Sequence, residues 1–450
     1  MRSSDEALAS RNLSRRSRLS LGSTLTLLGL LCLTSCGLPG AGSTSSRPSV
    51  MQATVLHAGQ QPTTATIAGD LRRVQMLDAR VGWAVSWDLA GTGAYHILKT
   101  TDGGRHWKSL LECLPTQGLG KDFVEECATD FHSAAVATVV QPEYESQTQI
   151  SRLRIFHTSD GGQTWQSSML TARDLYTPAV FVDALHGWIL ATDHFPGPDP
   201  SSAYIGGQIA LYRTSDGGNT WQRIASSPST SQIASTTDDA YGIPPLAASA
   251  RLQFVTPTTG WLIGSSLHPD HSDYSWLYVT HDGGSSWQHV ALSFPAGALA
   301  FWRPTFFTEQ EGLFPVLTTG PAPQEAHGTL LYTTRDGGQT WTSTSVPIDV
   351  TTAVYIDQQH AVSAGNDMDS KGFYLTSDGW KRWTTVQFHT TFKHIFAYDF
   401  VSPVLGWALA DTRTVFFPQP GGGLRKGDVI TLLQTTDGGR AWQEIAHSVL

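Results

Sequence analysis

The chain has 450 residues, of which 15% are charged, and a formal net charge of -9. That acidity excludes a nucleic-acid binder, which needs basic residues to neutralise phosphates, and a broad polybasic membrane patch. The length exceeds what one ordinary core holds, so the chain is either several domains or one domain of repeated units.

Residues 1–35 read as an export signal. Arg15, Arg16 and Arg18 make a positive start, and an apolar stretch follows from Leu25 to Leu33. That stretch is too short to span a bilayer. It ends in Leu33-Thr34-Ser35-Cys36, which resembles the lipobox of bacterial lipoproteins. The resemblance implies cleavage before Cys36 and lipidation of its thiol. The chain would then be held on the extracytoplasmic side of a bacterial cell membrane, touching the membrane through that lipid alone. Ser14-Arg15-Arg16 also resembles a twin-arginine signal, so the export route stays open. Residues 36–50 comprise the lipid site and a Gly/Ser/Pro-rich tether. Residues 51–450 are read as one folded domain, and how its ring closes stays open, the segment near Ala53–Leu56 being one that could add an outer strand.

A repeat organises that domain. Thr-x-Asp-Gly-Gly-x-x-Trp first appears from Thr100 to Trp107, around Asp102. It returns with Asp160 and Trp165, Asp216 and Trp221, Asp282 and Trp287, and Asp336 and Trp341. A degenerate copy has Asp378 and Trp383, and the last has Asp437 and Trp442. Successive Asp residues lie 42 to 66 residues apart. The Asp side chain accepts hydrogen bonds from its own turn, the Gly pair permits positive φ, and the Trp buries a large ring. Each copy therefore reads as a hairpin turn, and its Asp as structural. Trp380 replaces the second Gly of the sixth copy and is expected to force a different turn.

An apolar strand precedes every copy, as in His96-Ile97-Leu98. Further upstream a second strand begins near Gly-Trp at Trp83, Trp188, Trp261 and Trp407. Gly312-Leu313 takes its place in the fifth unit, and Ser133-Ala134 and His360-Ala361 are read in its place in the second and sixth. Each unit thus reads as strands A, B, C and D, with the repeated turn between C and D. Four antiparallel strands repeated seven times make an all-β, seven-bladed β-propeller.

The A–B and C–D turns fall on one face, and the B–C and D–A connections on the other. The first set is short and uniform. The second is long and dissimilar, with B–C loops at 140–150, 192–207, 264–275, 318–329 and 412–428. Variable loops on a rigid scaffold are where binding residues gather. Candidate contacts there are Glu143, Tyr144, His194, Phe195, His268, Asp270, His271, Tyr274, Phe416, Phe417 and Arg425. His268, Asp270, His271 and Asp273 offer metal-ligand types in one run, but metal sites are completed by fixed supporting partners. A solvated polar loop is the preferred reading, and no metal or cofactor is assigned. Phe416-Phe417 is either an apolar anchor for a partner or packing beneath the loop. Cys113 and Cys127 close a loop as a disulfide, favoured by an oxidising compartment, or stand as separate buried thiols.

The repeated turn resembles the Asp-box (BNR repeat) of sialidase-type propellers. Seven such blades with Gly-Trp strands resemble the photosystem II assembly and stability factor family, over about residues 70–446. That resemblance implies a non-catalytic, membrane-tethered scaffold that binds a membrane protein or membrane complex, in photosynthesis for the family itself. The alternative is a glycan-binding or glycoside-hydrolysing propeller of the cell surface. A sialidase would carry an Arg-Ile-Pro motif near its start, and this chain has none. No nucleophile elbow, P-loop or HExxH motif is present, so no catalytic residue is assigned.

Overall fold

The computed structural model describes residues 50–52, 66–88, 93–114, 127–145, 150–172, 179–192, 209–226, 250–266, 274–290, 292, 298–301, 304–318, 328–346, 348–364, 372–387, 394–418 and 424–449. They form seven antiparallel sheets around a ring, with no helix among them. Each sheet is a meander of four strands, A to D. In blade four these are Arg251–Phe254, Gly260–Ser266, Tyr274–Thr280 and Gln288–Val290. The alternation that drives each strand is visible in the A strand of blade four, where Leu252 and Phe254 are buried and Arg251 and Gln253 are not.

The Thr-x-Asp-Gly-Gly turns share one geometry. In blade one the Thr100 hydroxyl donates to Asp102 Oδ1 at 2.9 Å, and the N–H groups of Gly104 and His106 donate to Thr100 Oγ1 and Asp102 Oδ1 at 2.9 Å each. Gly103 N–H donates to Arg80 O at 2.8 Å, tying this turn to the A–B turn on the same face. Hydrogen bonds from the hydroxyl and N–H of Thr340 hold the exposed Asp336 carboxyl at about 2. These carboxylates are acceptors for their own turns.

The sixth turn departs from expectation. Gly379 and Trp380 take φ values of 71° and 74°, the left-handed pair that two glycines supply elsewhere. The turn is therefore retained, with a bulky residue held where L-residues are strained. The register also corrects two strand starts. Ala137 pairs with Thr158 as Gly82 pairs with Thr100, so Ala137-Thr138, and not Ser133-Ala134, occupies the Gly-Trp place in blade two. In blade six Ala361 pairs with Thr376, which puts Val362 in the Trp place.

Blades adhere through aromatic sandwiches. Trp188 stacks on Phe254 of the next blade with centroids 3.6 Å apart, and Trp261 on Phe306 at 3.3 Å. The turn Trp of that next blade meets the same Phe edge-on, as Trp287 does Phe254 and Trp341 does Phe306, both at 6.1 Å. In blade two, which has Thr138 for Trp, His157 from the adjoining strand stacks on Phe181 at 4.5 Å. Its Nε2 lies 3.0 Å from Ala184 O, and burial pushes the imidazole pKa down, towards the neutral ring.

Polar ties link neighbouring A strands. Gln75 Nε2 donates to Phe131 O at 3.0 Å, Asp130 Oδ2 accepts from Phe181 N–H at 2.8 Å, and Gln253 Oε1 accepts from Phe306 N–H at 3.0 Å. Asp399 Oδ2 accepts from Met76 N–H at 2.7 Å and so joins blade seven to blade one. Trp407 Nε1 donates to Gly103 O at 3.0 Å across that seam. Every blade takes all four of its strands from one contiguous stretch, and two outer strands are added to the blades at this seam. Val50–Gln52 pairs antiparallel outside His106–Cys113, and Thr66–Ala68 pairs parallel outside Gln443–Val449. Ala53–Leu56 lies outside the described residues.

Candidate functional site

The face opposite the repeated turns is elaborated around blades seven, one and two. Several of its expected loops are strand. Blade two continues through Ala137–Glu145 and Ile150–Thr158, and blade four through Ser266 and from Tyr274. Blade seven extends furthest, with Gly406–Pro418 paired to Leu424–Thr435. The 412–428 loop is therefore largely a β-ribbon, and its first arm, with Thr412, Thr414, Val415, Phe416 and Phe417, carries the β-branched and aromatic residues that favour extended pairing.

Between the two long hairpins lies the mouth of blade one. Trp87 ends its B strand and stacks on Tyr95 of its C strand with centroids 6.0 Å apart. Trp87 Nε1 donates to Gly93 O at 3.2 Å, which fixes the ring. The Arg72 guanidinium carbon sits 4.7 Å over that ring, and Arg72 Nη2 lies 3.5 Å from Asp70 Oδ2. Arg72 keeps 37% of its side chain exposed, so a cation seated on an aromatic ring faces solvent here. Arg73, next along the strand, turns into the seam, donating to Thr129 Oγ1 at 3.0 Å and Gln75 Oε1 at 2.8 Å.

Cys113 and Cys127 are joined by a disulfide, and Tyr95 pairs with Cys113 in register. Gln141 Nε2 of blade two donates to Leu114 O at 3.1 Å. The start of the blade one to blade two connection is thus held from both sides.

The candidate contacts distribute unevenly. Glu143 is ion-paired to Arg154, with Nε–Oε1 at 2.5 Å and Nη2–Oε2 at 3.2 Å, both side chains being half-buried. A pair made diagonally across two strands stiffens the hairpin, so Glu143 is not a free carboxylate. Tyr144 pairs with Ser151, and Tyr274 with Ser266, each near the end of its hairpin. Phe416 pairs with Lys426, and Phe417 with Arg425. His194, Phe195, His268, Asp270, His271 and Cys36 lie outside the described residues. No cluster of three metal-ligand side chains occurs among the described residues.

Sequence reading missed Arg72, Trp87 and Tyr95. The signal was present, since strict alternation from Trp83 through Val85 puts Trp87 on one face of strand B. It also missed a cavity of about 270 Å³ on the turn face between blades five and six, lined by Leu313, Gln358, Asp378, Trp380 and Lys381 among others.

No family model and no curated protein matches the chain. Solved structures of similar fold include YCF48 from Cyanidioschyzon merolae, at 15% identity over 92% of this chain and 98% of that one, with a TM-score of 0.44. The GH74 xyloglucanase from Xanthomonas campestris is 14% identical over 88% of this chain and 68% of that one, with a TM-score of 0.45. The polysaccharide lyase Uly1 is 9% identical over 92% and 97%, with a TM-score of 0.48. Likeness at this level concerns the fold, and fold alone assigns no activity. Binding and glycan-directed readings both remain open to it.

Proposed function

We propose that this chain is a non-catalytic binding scaffold, exported and tethered by lipid at Cys36, that docks a membrane protein or membrane complex on its loop face. The observation that carries the reading is the contrast between the two faces. The turn face repeats one hydrogen-bonded unit, whereas blades seven, one and two build long hairpins, a disulfide-held connection and the Arg72–Trp87–Tyr95 cluster on the other. Aromatic and Arg side chains are the residues that anchor protein interfaces. Carboxylates with shifted titration have structural work: the turn Asp residues hold their turns, and Asp399 holds the blade seven to one seam. The assembly factors of photosystem II are the family whose Asp-box and Gly-Trp pattern this sequence resembles, and the proposed client class is taken from that resemblance.

In-cell crosslinking of the tagged chain, followed by mass spectrometry, tests it. Reproducible capture of one integral membrane complex, lost in Arg72→Glu, is expected. Capture of no protein above a lipid-anchored control would overturn the scaffold reading.

One observation favours a second reading. The partly exposed Arg72 guanidinium, held on the Trp87 ring, also suits a sugar bearing an acidic group, because guanidinium pairs with carboxylate. Glycan-array binding that Trp87→Ala abolishes, with or without glycosidase activity, would favour it.

A further inference from the structure

We infer that the ribbon of blade seven is a membrane-surface contact that docks on an anionic lipid bilayer. Strand pairing carries the argument first. The A strand of blade seven pairs with its B strand only as far as Asp411, and the D strand with the C strand only as far as Thr431. Beyond those residues Arg413–Pro418 and Leu424–Val429 pair with each other, and among the described residues no strand covers either edge. The ribbon reaches about 20 Å past the blade at the usual rise per residue. An isolated two-stranded ribbon is marginal in water, so a surface that covers it is the expected companion.

Its composition selects the surface. From Arg413 to Val429 the chain has Arg413, Arg425 and Lys426 against one acid, Asp428, in a protein whose net charge is -9. Phe416, Phe417 and Leu424 occupy the same paired stretch, with Phe416 opposite Lys426 and Phe417 opposite Arg425. Apolar aromatic and cationic residues interleaved at the end of a projecting element match the boundary between lipid headgroups and acyl chains. The cations add attraction to anionic headgroups. Overall acidity had excluded a broad basic patch, and the ribbon is a local exception that the average conceals.

The direction of the N-terminal strand agrees. Val50 pairs with Lys108 and Gln52 with His106, the residue next to the turn face, so Val50–Gln52 runs towards that face. Val50, the end of this strand nearer Cys36 in sequence, therefore lies on the loop-face side of blade one, next to the blade that projects the ribbon. That strand end and the ribbon lie on the same side of the molecule. The inference does not depend on which partner the loop face binds.

The test uses the full chain with Cys32→Ser and Cys36→Ser, so that no lipid is attached, and Phe417→Cys bearing an environment-sensitive fluorophore. Vesicles of phosphatidylglycerol and phosphatidylcholine are compared with phosphatidylcholine alone. A blue shift on the anionic vesicles only is expected, with partition weakened on the order of tenfold or more in Arg425→Glu/Lys426→Glu. A fluorophore at Gln339→Cys on the turn face should not shift. Should Phe417→Cys disturb folding, the label is moved to Thr414→Cys. No shift on anionic vesicles, or an equal shift on both vesicle types that charge reversal leaves unchanged, overturns the inference. In the first case a protein partner for the ribbon takes its place.

Discussion

The seam between blades four and five and the seam between blades five and six solve one packing problem with different residues. At the first, Trp261 of strand B fills the space, fully buried and stacked on Phe306. The facing turn supplies Gly338, where a Cβ would stand 3.6 Å from the Trp261 ring nitrogen. At the second, strand B supplies Leu313 and the facing turn supplies Trp380. Trp380 is buried, packs in one cluster with Leu313, and meets Tyr355 edge-on at 5.2 Å. The aromatic ring has moved from one wall of the seam to the other. What the fold requires is a filled volume, and the sequence position that supplies it is free to change.

The largest effect expected from this comparison is at the first seam. Trp261→Ala should cost about 3–5 kcal/mol, the usual loss for a buried Trp, read as a shift of the urea midpoint. Trp261→Phe should cost much less, because Trp261 Nε1 has no hydrogen-bond partner among the described residues. Trp188→Phe should cost roughly 1 kcal/mol more than Trp261→Phe, since Trp188 Nε1 donates to Gly283 O at 2.9 Å. Equal losses for the two Phe variants would break the claim that seams differ in their polar ties.

At the second seam the exchange itself is testable. Leu313→Trp alone overfills the space and should cost about 1–3 kcal/mol. Trp380→Gly alone leaves a cavity but relieves the backbone strain of a non-glycine at φ 74°, so its net cost should be about 2 kcal/mol. The double variant rebuilds the arrangement of the first seam and should return close to the parent stability. A double-mutant cycle with a coupling below about 0.5 kcal/mol would show that the residues act independently.

These seams show what was legible in the sequence and why the rest was not. Blade number and strand order follow from the recurring Thr, Asp, Gly and Trp, because each unit writes its turn chemistry locally. Trp380 was read as a broken turn because local rules penalise a bulky residue at positive φ. The compensating void at Leu313 lies 67 positions away, and only packing reveals it. His157 was missed for the same reason: it fills the place of a Trp from the adjoining strand. On the loop face, Trp87 followed from alternation, whereas the pairing of Glu143 with Arg154 depends on hairpin register, which composition does not fix. The ribbon at 412–428 was read as loop because its proline and glycines outweighed the strand formers around them.

The last effect, spread over a range of pH, concerns the seam that closes the ring. Desolvation raises the Asp399 carboxyl from 3.8 to about 6, against the Met76 N–H and the nearby charge of Arg73, which lower it. A carboxyl whose folded pKa is raised binds its proton more tightly in the folded state. Its contribution is therefore fully present below about pH 4 and is lost as pH rises through about 6. The turn carboxylates act oppositely: Asp336, held at about 2, stabilises above its unfolded value and ceases to do so as pH falls. The parent protein should thus lose on the order of 1–3 kcal/mol between pH 4 and pH 7 from Asp399 alone. Asp399→Asn should flatten that slope. Urea midpoints across the two pH values decide the matter. An unchanged slope in Asp399→Asn would mean that the closing seam is no more sensitive to pH than the others.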